Sequence, residues 1–349
     1  MLYREAIAQA MVDALTDDSK ALVLGVGVGD VKGVFGTTVL ARQRFPGRVI
    51  ETPLSENMLT GALCGLALEG WHPMLVHARM DFMPLTFEHV INTLAKWRFV
   101  HGTGSGIGVT IRCIVGRGWG QGPQHSQALH AMLGHVPGLR VLLPFTPQDA
   151  YDAVRDAYRS ETPTVIMEHR RLYETDGIVD PKHGQRLFGP GSFPGWPNPE
   201  HPELVIISAS GALPDCVAAV RLLRKSAGVS ACLYVVDSLP LQPRYLVAAA
   251  NHGQGRVVVV DVGHASFGLC AEVARVLSEA GALKAFASVT PPFAPCPTSA
   301  PLEAAWYPTA EDIARAAMRV AGHEGSIAFA EEPVDGDGIE ADAAFKGPF

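Results

Sequence analysis

Unbroken apolar runs alternate with amphipathic segments through the first half of the chain. The runs are rich in Val, Ile and Leu, and they lie at 21–27, 48–54, 72–78, 107–115, 139–145 and 162–169. A strand that is apolar at every position is covered on both faces, which is typical of a parallel sheet between helices. Helical patterns lie at 87–99 and 146–160, and the second starts with Thr146 and Pro147, a helix-start signal. The pattern predicts an α/β domain with a largely parallel sheet over residues 1–175.

The same alternation returns after a segment that is dense in glycine and proline. That segment covers 176–203 and is predicted to be a linker. Four further apolar runs follow, at 204–210, 231–239, 256–263 and 284–290. The last helical pattern, 309–320, begins with a capping box formed by Thr309 and Asp312. We therefore predict a second α/β domain over 204–322, whose sheet can carry an antiparallel edge, and a loosely held tail over 323–349.

Composition limits the classes of partner. Of the 349 residues, 18% are charged, against about 25% in an average globular domain, which indicates a surface partly covered by other chains. The net charge of −7 and the absence of a basic run argue against nucleic acid and against an anionic membrane surface. No apolar run reaches the roughly 18 residues that a membrane span needs. The six scattered cysteines, without a CxxC pair, indicate reduced thiols and a cytoplasmic protein.

The turn "GVGVGDVKG", residues 25–33, follows a predicted strand and suggests a dinucleotide site, because glycines let a pyrophosphate approach the backbone. Such a motif also needs an acidic residue about 20 positions later, and Glu51 is the nearest one. A glycine-rich turn after a buried strand explains the pattern without any ligand. A non-catalytic nucleotide-binding α/β protein therefore remains one alternative function, and it rests on this turn alone.

Three side chains stand out as candidates for chemistry. Glu56 opens the small, apolar, glycine-dotted segment "NMLTGALCGLALEG", where its simplest role is that of an acid at a helix start. His125 lies in the polar loop "QHSQ", where an imidazole can exchange protons near neutral pH or can stabilise the loop. Phe82 lies in a turn before a predicted helix, where it can pack in the core or offer its face to a flat ligand. Nearby His130 and His135 lack the partners of a zinc site and are expected to be structural.

Four stretches together resemble one protein family. They are "TPLSEN" (52–57), "DFMPLTFEHVINTLAKWRF" (81–99), "QHSQALHAMLGHVPGLRVLLPFTPQDA" (124–150) and "TPTVIMEHRRLY" (162–173). They are similar to the β subunit of the thiamine-diphosphate-dependent decarboxylase component of 2-oxoacid dehydrogenase complexes. The resemblance covers most of the first domain and continues more weakly through the second. It implies a transketolase-like pyrimidine-binding domain followed by a transketolase C-terminal-type domain, each a mostly parallel sheet flanked by helices.

The resemblance also implies cofactors and partners. Thiamine diphosphate and Mg²⁺ are expected, with the magnesium and the diphosphate held mainly by an α subunit through its GDG motif. This chain has a GDG of its own at 336–338, but we expect the residues that follow to be too few for such a site. The implied assembly is an α2β2 heterotetramer that is inactive without its α subunit and that can pass acyl groups to a lipoyl acyltransferase. Gly61 and Gly65 on the helix after Glu56 are expected to allow close approach of another subunit.

Carried over residue by residue, the resemblance implies that the Glu56 carboxyl hydrogen-bonds the aminopyrimidine of the cofactor and so helps to activate its thiazolium carbon. A carboxyl in that role works best when burial raises its pKa toward neutrality. Phe82 matches the aromatic residue that packs on the pyrimidine, and His125 matches the loop histidine that faces the substrate and assists acyl transfer. The family often binds K⁺ through backbone carbonyls. The matching carbonyls lie near Ala157, Ser160 and Thr162.

The chain departs from the family pattern in places. Val26 stands where the family commonly has an acidic residue, and the loop 115–124 is shorter than usual and carries Trp119. These departures leave open which 2-oxo acid is used and whether an acyltransferase core is bound. An alternative function is therefore the small subunit of a split transketolase-like enzyme that transfers ketol or acyl units.

Overall fold

The computed structural model describes residues 1–104, 106–117, 120–182, 191–192 and 199–323. The chain divides into two compact units, one made of the described residues up to 182 and the other of the described residues from 191 onward. Trp119, residues 183–190 and 193–198 of the predicted linker, and the tail after residue 323 with its GDG lie outside the described residues.

The first unit contains a parallel sheet, as the unbroken apolar runs predict. Its strands lie in the order β5-β6-β4-β3-β1-β2, and neighbouring strands are parallel throughout. The strands are β1 (Ala21–Gly25), β2 (Val49–Glu51), β3 (His72–His77), β4 (Thr110–Val115), β5 (Arg140–Leu142) and β6 (Thr164–His169). The helices are α1 (Tyr3–Asp17), α2 (Val39–Arg44), α3 (Glu56–Leu68), α4 (Trp97–His101), α5 (His130–Gly134) and α6 (Pro147–Arg159).

Both faces of this sheet are covered, and the central strand β4 shows how. Consecutive residues of a strand point to opposite faces. Arg112 reaches Met11 of α1, with 3.3 Å between Nη1 and Sδ, whereas the Cys113 thiol lies 3.4 Å from the Met83 sulfur on the other side. All six residues of β4 are buried. The Arg112 guanidinium is compensated by Glu168 on β6, 2.8 Å from Nη2 to Oε2, so the buried charge is paired.

Residues 80–94 fold differently from the regular helix that the 87–99 pattern predicts. A 3-10 helix, Met80–Thr86, leads into a π-helix, Glu88–Leu94, and only then into α4. The backbone N–H of Ala95 donates to the carbonyl of Val90 at 3.1 Å, five residues back. An apolar periodicity over so few turns does not separate a π-helix from an α-helix, because both bury one face.

The second unit also has a mostly parallel sheet, in the order β12-β11-β8-β9-β7. Only β7 runs antiparallel among these strands, and it lies at the edge, as the sequence predicts. The five strands of this sheet are β7 (Gly191–Ser192), β8 (Leu204–Ser208), β9 (Ala231–Val235), β11 (Arg256–Val260) and β12 (Ala285–Val289). The unit also contains the short strand β10 (Ser238–Leu239). The helices are α7 (Leu213–Leu222), α8 (Pro243–His252), α9 (Leu269–Glu279), α10 (Ala300–Trp306) and α11 (Ala310–Ala321), with a π-helix at Leu223–Ala227.

Helix starts and cysteines follow the sequence. The Thr146 and Thr309 side chains each accept a hydrogen bond from the backbone N–H three residues on, which completes the capping boxes of α6 and α11. All six cysteines are buried, and none of them takes part in a disulfide. Among the described residues, no helix is both long and apolar enough to cross a bilayer.

Candidate functional site

The candidate residues lie where neighbouring parallel strands end. Glu56 opens α3 shortly after β2, Phe82 lies in the 3-10 helix after β3, and His125 lies in the loop after β4. The order β4-β3-β1-β2 places these strand ends side by side, at one edge of the sheet. Ligands of open α/β sheets bind outside the carboxyl ends of the strands. The fold thus gathers the three residues on the side of the sheet where a ligand is expected.

Phe82 and His125 are in direct contact. Their ring centroids are 5.7 Å apart and the ring planes meet at 80°, an edge-to-face arrangement. The Phe82 side chain remains 37% exposed, although rings of this size are usually buried. The pair therefore presents an open aromatic surface beside an imidazole, which suits a flat ring with a reactive group next to it.

The imidazole of His125 is oriented by its own loop. Its Nδ1 lies 3.3 Å from the carbonyl oxygen of Gln121, and its backbone N–H donates to the Gly122 carbonyl at 3.3 Å. A carbonyl oxygen only accepts, so this contact places the proton of the neutral ring on Nδ1. Nε2 then carries the lone pair and can accept a proton.

Two residues that the sequence did not single out fasten this loop. Nε of Arg79 donates to the side-chain oxygen of Gln121 at 2.8 Å. Oδ1 of Asp81 accepts from the backbone N–H of Gln127 at 3.2 Å and from its side-chain amide at 3.0 Å. Residues 79–82 thus contact the loop at three points. The opposite charges of Arg79 and Asp81 in "RMDF" are visible in the sequence. Charge alone does not indicate which residues of a distant loop they contact.

Glu56 lies in a half-buried position as the first residue of α3. Its backbone carbonyl accepts from the Thr60 hydroxyl at 2.8 Å. Within the described part of the chain, its carboxyl group makes no hydrogen bond or ion pair, so it is free to engage a ligand. Helix α3 packs against the 3-10 helix that carries Phe82.

Buried polar atoms without a partner gather at the same edge. Five of the buried polar atoms that lack a partner in the described ranges belong to this edge, namely Thr52 Oγ1, His77 Nε2, Asp81 Oδ2, Ser126 Oγ and His169 Nε2. Each of these residues belongs to the end of a strand or to a segment that follows one. Buried polar groups are normally paired in native proteins, so this cluster fits a polar ligand or bound water.

The two buried histidines among them are neutral. Burial lowers the pKa of His77 to about 4. Burial, together with the nearby Arg117 and Arg171 guanidiniums, holds the pKa of His169 well below its usual range. Strand register places both imidazoles on the same face of the sheet, because His77 aligns with Cys113 and His169 with Val115, two residues further along β4.

In the glycine turn after β1, backbone N–H groups form hydrogen bonds within the chain. The Glu51 carboxylate accepts the backbone N–H of Gly27 at 2.7 Å and that of Gly29 at 2.6 Å. Arg42 donates to the carbonyl of Gly29. The N–H groups that would hold a phosphate are thus already bonded to a carboxylate, which argues against a nucleotide at this turn.

The predicted potassium region is compact. The Thr162 carbonyl accepts from the Ser160 hydroxyl at 3.2 Å and from the Thr164 hydroxyl at 2.9 Å, and the Ala157 carbonyl accepts from the Ser160 N–H at 3.2 Å. Gly108 lies against this turn, where a Cβ would come within 2.6 Å of the Ser160 carbonyl oxygen. Two of the three carbonyls therefore already have partners within the chain.

The two glycines of α3 differ in their surroundings. A Cβ on Gly61 would come within 3.0 Å of the His89 imidazole, so this glycine makes room for a side chain of its own chain. Gly65 faces open space, with nothing within 4 Å of the same position.

Comparisons with known proteins agree along most of the chain. Residues 1–175 match the family "Transketolase, pyrimidine binding domain", and residues 198–313 match "Transketolase, C-terminal domain". The chain is 32% identical over 329 residues to the acetoin:2,6-dichlorophenolindophenol oxidoreductase subunit beta of Cupriavidus necator, which covers 90% of this chain and 95% of that protein. It is 28% identical over 327 residues to the pyruvate dehydrogenase E1 component subunit beta-1, mitochondrial, of Arabidopsis thaliana, covering 91% and 89% of the two chains.

A solved structure supports the fold. The chain superimposes on a split gene transketolase, described as an inactive beta4 tetramer, with a TM-score of 0.74 over 92% of this chain and 98% of that one. At 21% sequence identity, this likeness establishes the architecture alone.

Proposed function

Because this chain belongs to the family of β subunits of thiamine-diphosphate-dependent 2-oxo acid dehydrogenases, we propose that its first unit supplies one half of an active site that an α subunit completes. The observation that carries this proposal is the contact between Phe82 and His125, 5.7 Å between ring centroids, at the sheet edge where Glu56 opens α3. The chain is thus an enzyme subunit with a pyrimidine pocket of its own.

The cofactor fits this edge on its pyrimidine side. Phe82 offers an open ring, Glu56 an uncommitted carboxyl, and the cluster of buried polar atoms further partners. Within the described residues, no group of His, Cys, Asp and Glu is arranged to hold a metal ion. Following the relatives that are named as β subunits, we propose that an α subunit holds Mg²⁺ and the diphosphate and that the two chains form an α2β2 heterotetramer.

Each residue of this half-site has a separate task. Thiamine diphosphate, when bound, supplies a carbon nucleophile and an electron sink for cleavage next to a carbonyl. Glu56 would hold a proton at the pyrimidine ring nitrogen, which requires a carboxyl within hydrogen-bond reach. Phe82 would pack against the same ring and fix its orientation.

His125 would move protons on the substrate side. With its Nδ1 proton directed at the Gln121 carbonyl, Nε2 points its lone pair away from the loop backbone. A neutral imidazole with a free ring nitrogen can take a proton from a substrate oxygen and return it. The same group would assist transfer of the acyl unit to its acceptor.

The substrate class follows from the similar proteins and is also part of the proposal. Two of them are named for pyruvate and for acetoin, so we propose a 2-oxo acid or a 2-hydroxy ketone with a small acyl unit. Transfer of ketol units between sugars, as in a split transketolase, is the alternative. A nucleotide-binding role is disfavoured, because the backbone N–H groups of Gly27 and Gly29 already donate to the Glu51 carboxylate.

Reconstitution tests this function directly. The chain is combined with an α subunit from the same organism, thiamine diphosphate and Mg²⁺, and turnover of pyruvate and of acetoin is followed with an electron-accepting dye. We expect activity from the pair and none from either chain alone. Activity with sugar phosphates only would favour the transketolase alternative, and binding of NAD or ATP by the isolated chain would favour the nucleotide alternative.

The role of Glu56 is tested in the same assay. Glu56→Gln keeps the size of the side chain but removes the titratable proton, so we expect kcat to fall by about 10²-fold or more. Glu69→Gln, at the exposed far end of α3, is the matched control and leaves the rate unchanged. Full activity of Glu56→Gln would show that another group holds the proton.

Three finer points complete the proposal. We place the enzyme in the cytoplasm, a location that the six cysteines without disulfides support. A lipoyl acyltransferase would take the acyl group, as pull-down of the assembled pair with that protein would show. K⁺ would bind at the turn that contains Ala157, Ser160 and Thr162, and replacing KCl by choline chloride should then lower the melting temperature.

A further inference from the structure

The loop that carries His125 contains two glycines in the left-handed region of backbone conformation. It spans residues 120–127, and both Gly120 and Gly122 have positive φ angles, 71° and 75°. Glycine gives such a segment many backbone conformations when nothing else restrains it. Within the described residues, the His125 ring makes a 3.3 Å contact to Gln121 and an edge-to-face contact to Phe82. A defined imidazole position therefore needs restraints from outside the loop.

Two oppositely charged residues provide such restraints, one at each end. Arg79 bonds the Gln121 side chain at 2.8 Å, four residues before the histidine. Asp81 bonds Gln127 through its backbone N–H and its side-chain amide, two residues after the histidine. We refer to these two contacts as the tether. Arg79 and Asp81 lie just before Phe82 in the sequence. The tether therefore connects the loop of His125 to the backbone segment that carries Phe82.

Arg79 is itself immobilised. Its Nη1 donates to the Ala78 carbonyl at 2.7 Å, and its guanidinium carbon lies 4.8 Å from the centre of the Phe35 ring, a cation–π contact. The guanidinium of Arg170 lies 4.9 Å from the same ring. Burial lowers the pKa of Arg79, which shows that desolvating this charge is unfavourable. A half-buried guanidinium with three separate contacts is a fixed support for the loop.

Asp81 is a second fixed support. Its Oδ2 is buried and has no partner in the described residues, whereas Oδ1 accepts both hydrogen bonds from Gln127. A carboxylate that accepts a backbone N–H and an amide N–H from one residue fixes both the main chain and the side chain of that residue. The end of the loop is therefore held in position and in orientation.

We propose that Arg79 and Asp81 are positioning residues that hold His125 against Phe82 in the geometry needed for proton transfer, an inference that rests on the proposed function of this site. Loss of either contact frees one end of the loop and widens the range of positions that the imidazole samples. Misplacement by about 1 Å can cost about 10²-fold in rate. Binding of the cofactor, which depends on Phe82 and Glu56, is little affected.

The isolated chain provides the first test. The imidazole signals of His125, assigned with His125→Gln, are followed by NMR at constant pH. We expect Gln121→Ala and Asp81→Ala to broaden or shift these signals. Asp81→Asn keeps an oxygen that accepts from Gln127, so it should restore the spectrum of the unsubstituted chain. Unchanged His125 signals in both folded alanine variants would overturn the proposal.

A matched control separates the tether from a general loss of hydrogen bonding. Gln9 donates to Asp13 at 2.7 Å on α1, a Gln–Asp pair of the same kind that is remote in the fold from this loop. Gln9→Ala should leave the His125 signals unchanged. Equal perturbation by Gln9→Ala and Gln121→Ala would also overturn the proposal. If Asp81→Ala fails to fold, the comparison of Asp81→Asn with Gln121→Ala still decides the question.

The assembled pair provides the second test. Asp81→Ala and Gln121→Ala should lower kcat by at least about 10-fold, whereas the dissociation constant for thiamine diphosphate stays within about twofold, and Asp81→Asn should retain most of the activity. An unchanged kcat in variants with disturbed His125 signals would overturn the catalytic part of the inference. If the assembled pair shows no activity that depends on thiamine diphosphate but the His125 signals still change, the proposed function is wrong. The inference that Arg79 and Asp81 position His125 then still holds.

Discussion

Phe82 illustrates how a single residue acquires a function from its position. Its ring is 37% exposed at the carboxyl edge of a sheet and meets the His125 ring edge-on. Exposed apolar side chains are normal on protein surfaces and by themselves do not indicate a function. Here the ring contacts the His125 imidazole, and its 3-10 helix packs against α3, the helix that Glu56 opens, whereas Phe99 on α4 is 91% exposed.

Removal of the Phe82 ring should therefore weaken cofactor binding. In the assembled pair, we expect Phe82→Ala to raise the dissociation constant of thiamine diphosphate by about 10- to 100-fold, since stacking and burial of a ring contribute about 1.5–3 kcal/mol. Phe99→Ala, which removes a ring that is 91% exposed, is the control and should have no effect. Titration calorimetry gives both values, and equal affinities for the two variants would contradict a stacking role.

Neutral His77 should make the fold sensitive to acid. Its pKa is lowered to about 4 in the folded chain, so the unfolded chain binds a proton between the ordinary pKa of histidine and pH 4 while the folded chain does not. Stability contributed by the neutral ring is therefore complete above about pH 6.5 and is lost as the pH falls, by up to about 1.4 kcal/mol per pH unit.

Urea unfolding of the isolated chain between pH 7 and 4.5 measures this dependence. We expect His77→Leu to reduce the slope of the unfolding free energy against pH in that window. His101→Leu serves as the control because His101 is exposed at the end of α4, and it should keep the slope. If His77→Leu and the unsubstituted chain have the same slope, the imidazole is not the titrating group.

At the scale of elements, some of the candidate site residues lie on segments whose structure the hydrophobic pattern of the sequence does not predict. The parallel strands and the capping boxes at Thr146 and Thr309 could be predicted, because each depends on residues close in sequence. The 3-10 and π-helices that carry Phe82 and His89 could not, because their hydrogen-bond spacing responds to packing against α3. The roles expected for Glu56, Phe82 and His125 depend on a family resemblance.

The tether escaped prediction for a related reason. Arg79 and Gln121 are 42 residues apart, and Asp81 and Gln127 are 46 apart. No local pattern links such positions. Their proximity results from the strand order β4-β3, which brings the segments after these two strands together.

The two glycines of α3 should respond differently to the same substitution. Alanine in a helix interior is favoured over glycine by about 1 kcal/mol. Gly65→Ala meets open space and should gain stability by up to that amount, whereas Gly61→Ala places a methyl group within 3.0 Å of the His89 ring and should gain less or lose stability. Thermal unfolding of the isolated chain measures the difference. Equal gains would show that the His89 ring moves aside without cost.

At the scale of the whole molecule, the half-site lies among apolar side chains that the single chain leaves exposed. Leu54, Met58 and Leu85 are 79%, 53% and 58% exposed, and they lie in or next to the segments that carry Glu56 and Phe82. Apolar side chains grouped beside a binding site commonly mark a protein interface. Together with the low fraction of charged residues, 18%, they support a surface that another subunit covers.

A charge placed on this surface should therefore prevent assembly. We expect Met58→Glu to weaken association with the α subunit by at least about 10-fold, because burying an unpaired carboxylate in an apolar interface costs more than about 1.4 kcal/mol. Leu302→Glu, at a residue of α10 that is 60% exposed, introduces the same charge in the second unit and is the control. Light scattering of the mixed chains reports the mass of the complex, and circular dichroism shows that each variant is folded. If Met58→Glu assembles as well as Leu302→Glu, the α subunit does not cover the exposed face of α3, and the site must be completed from another direction.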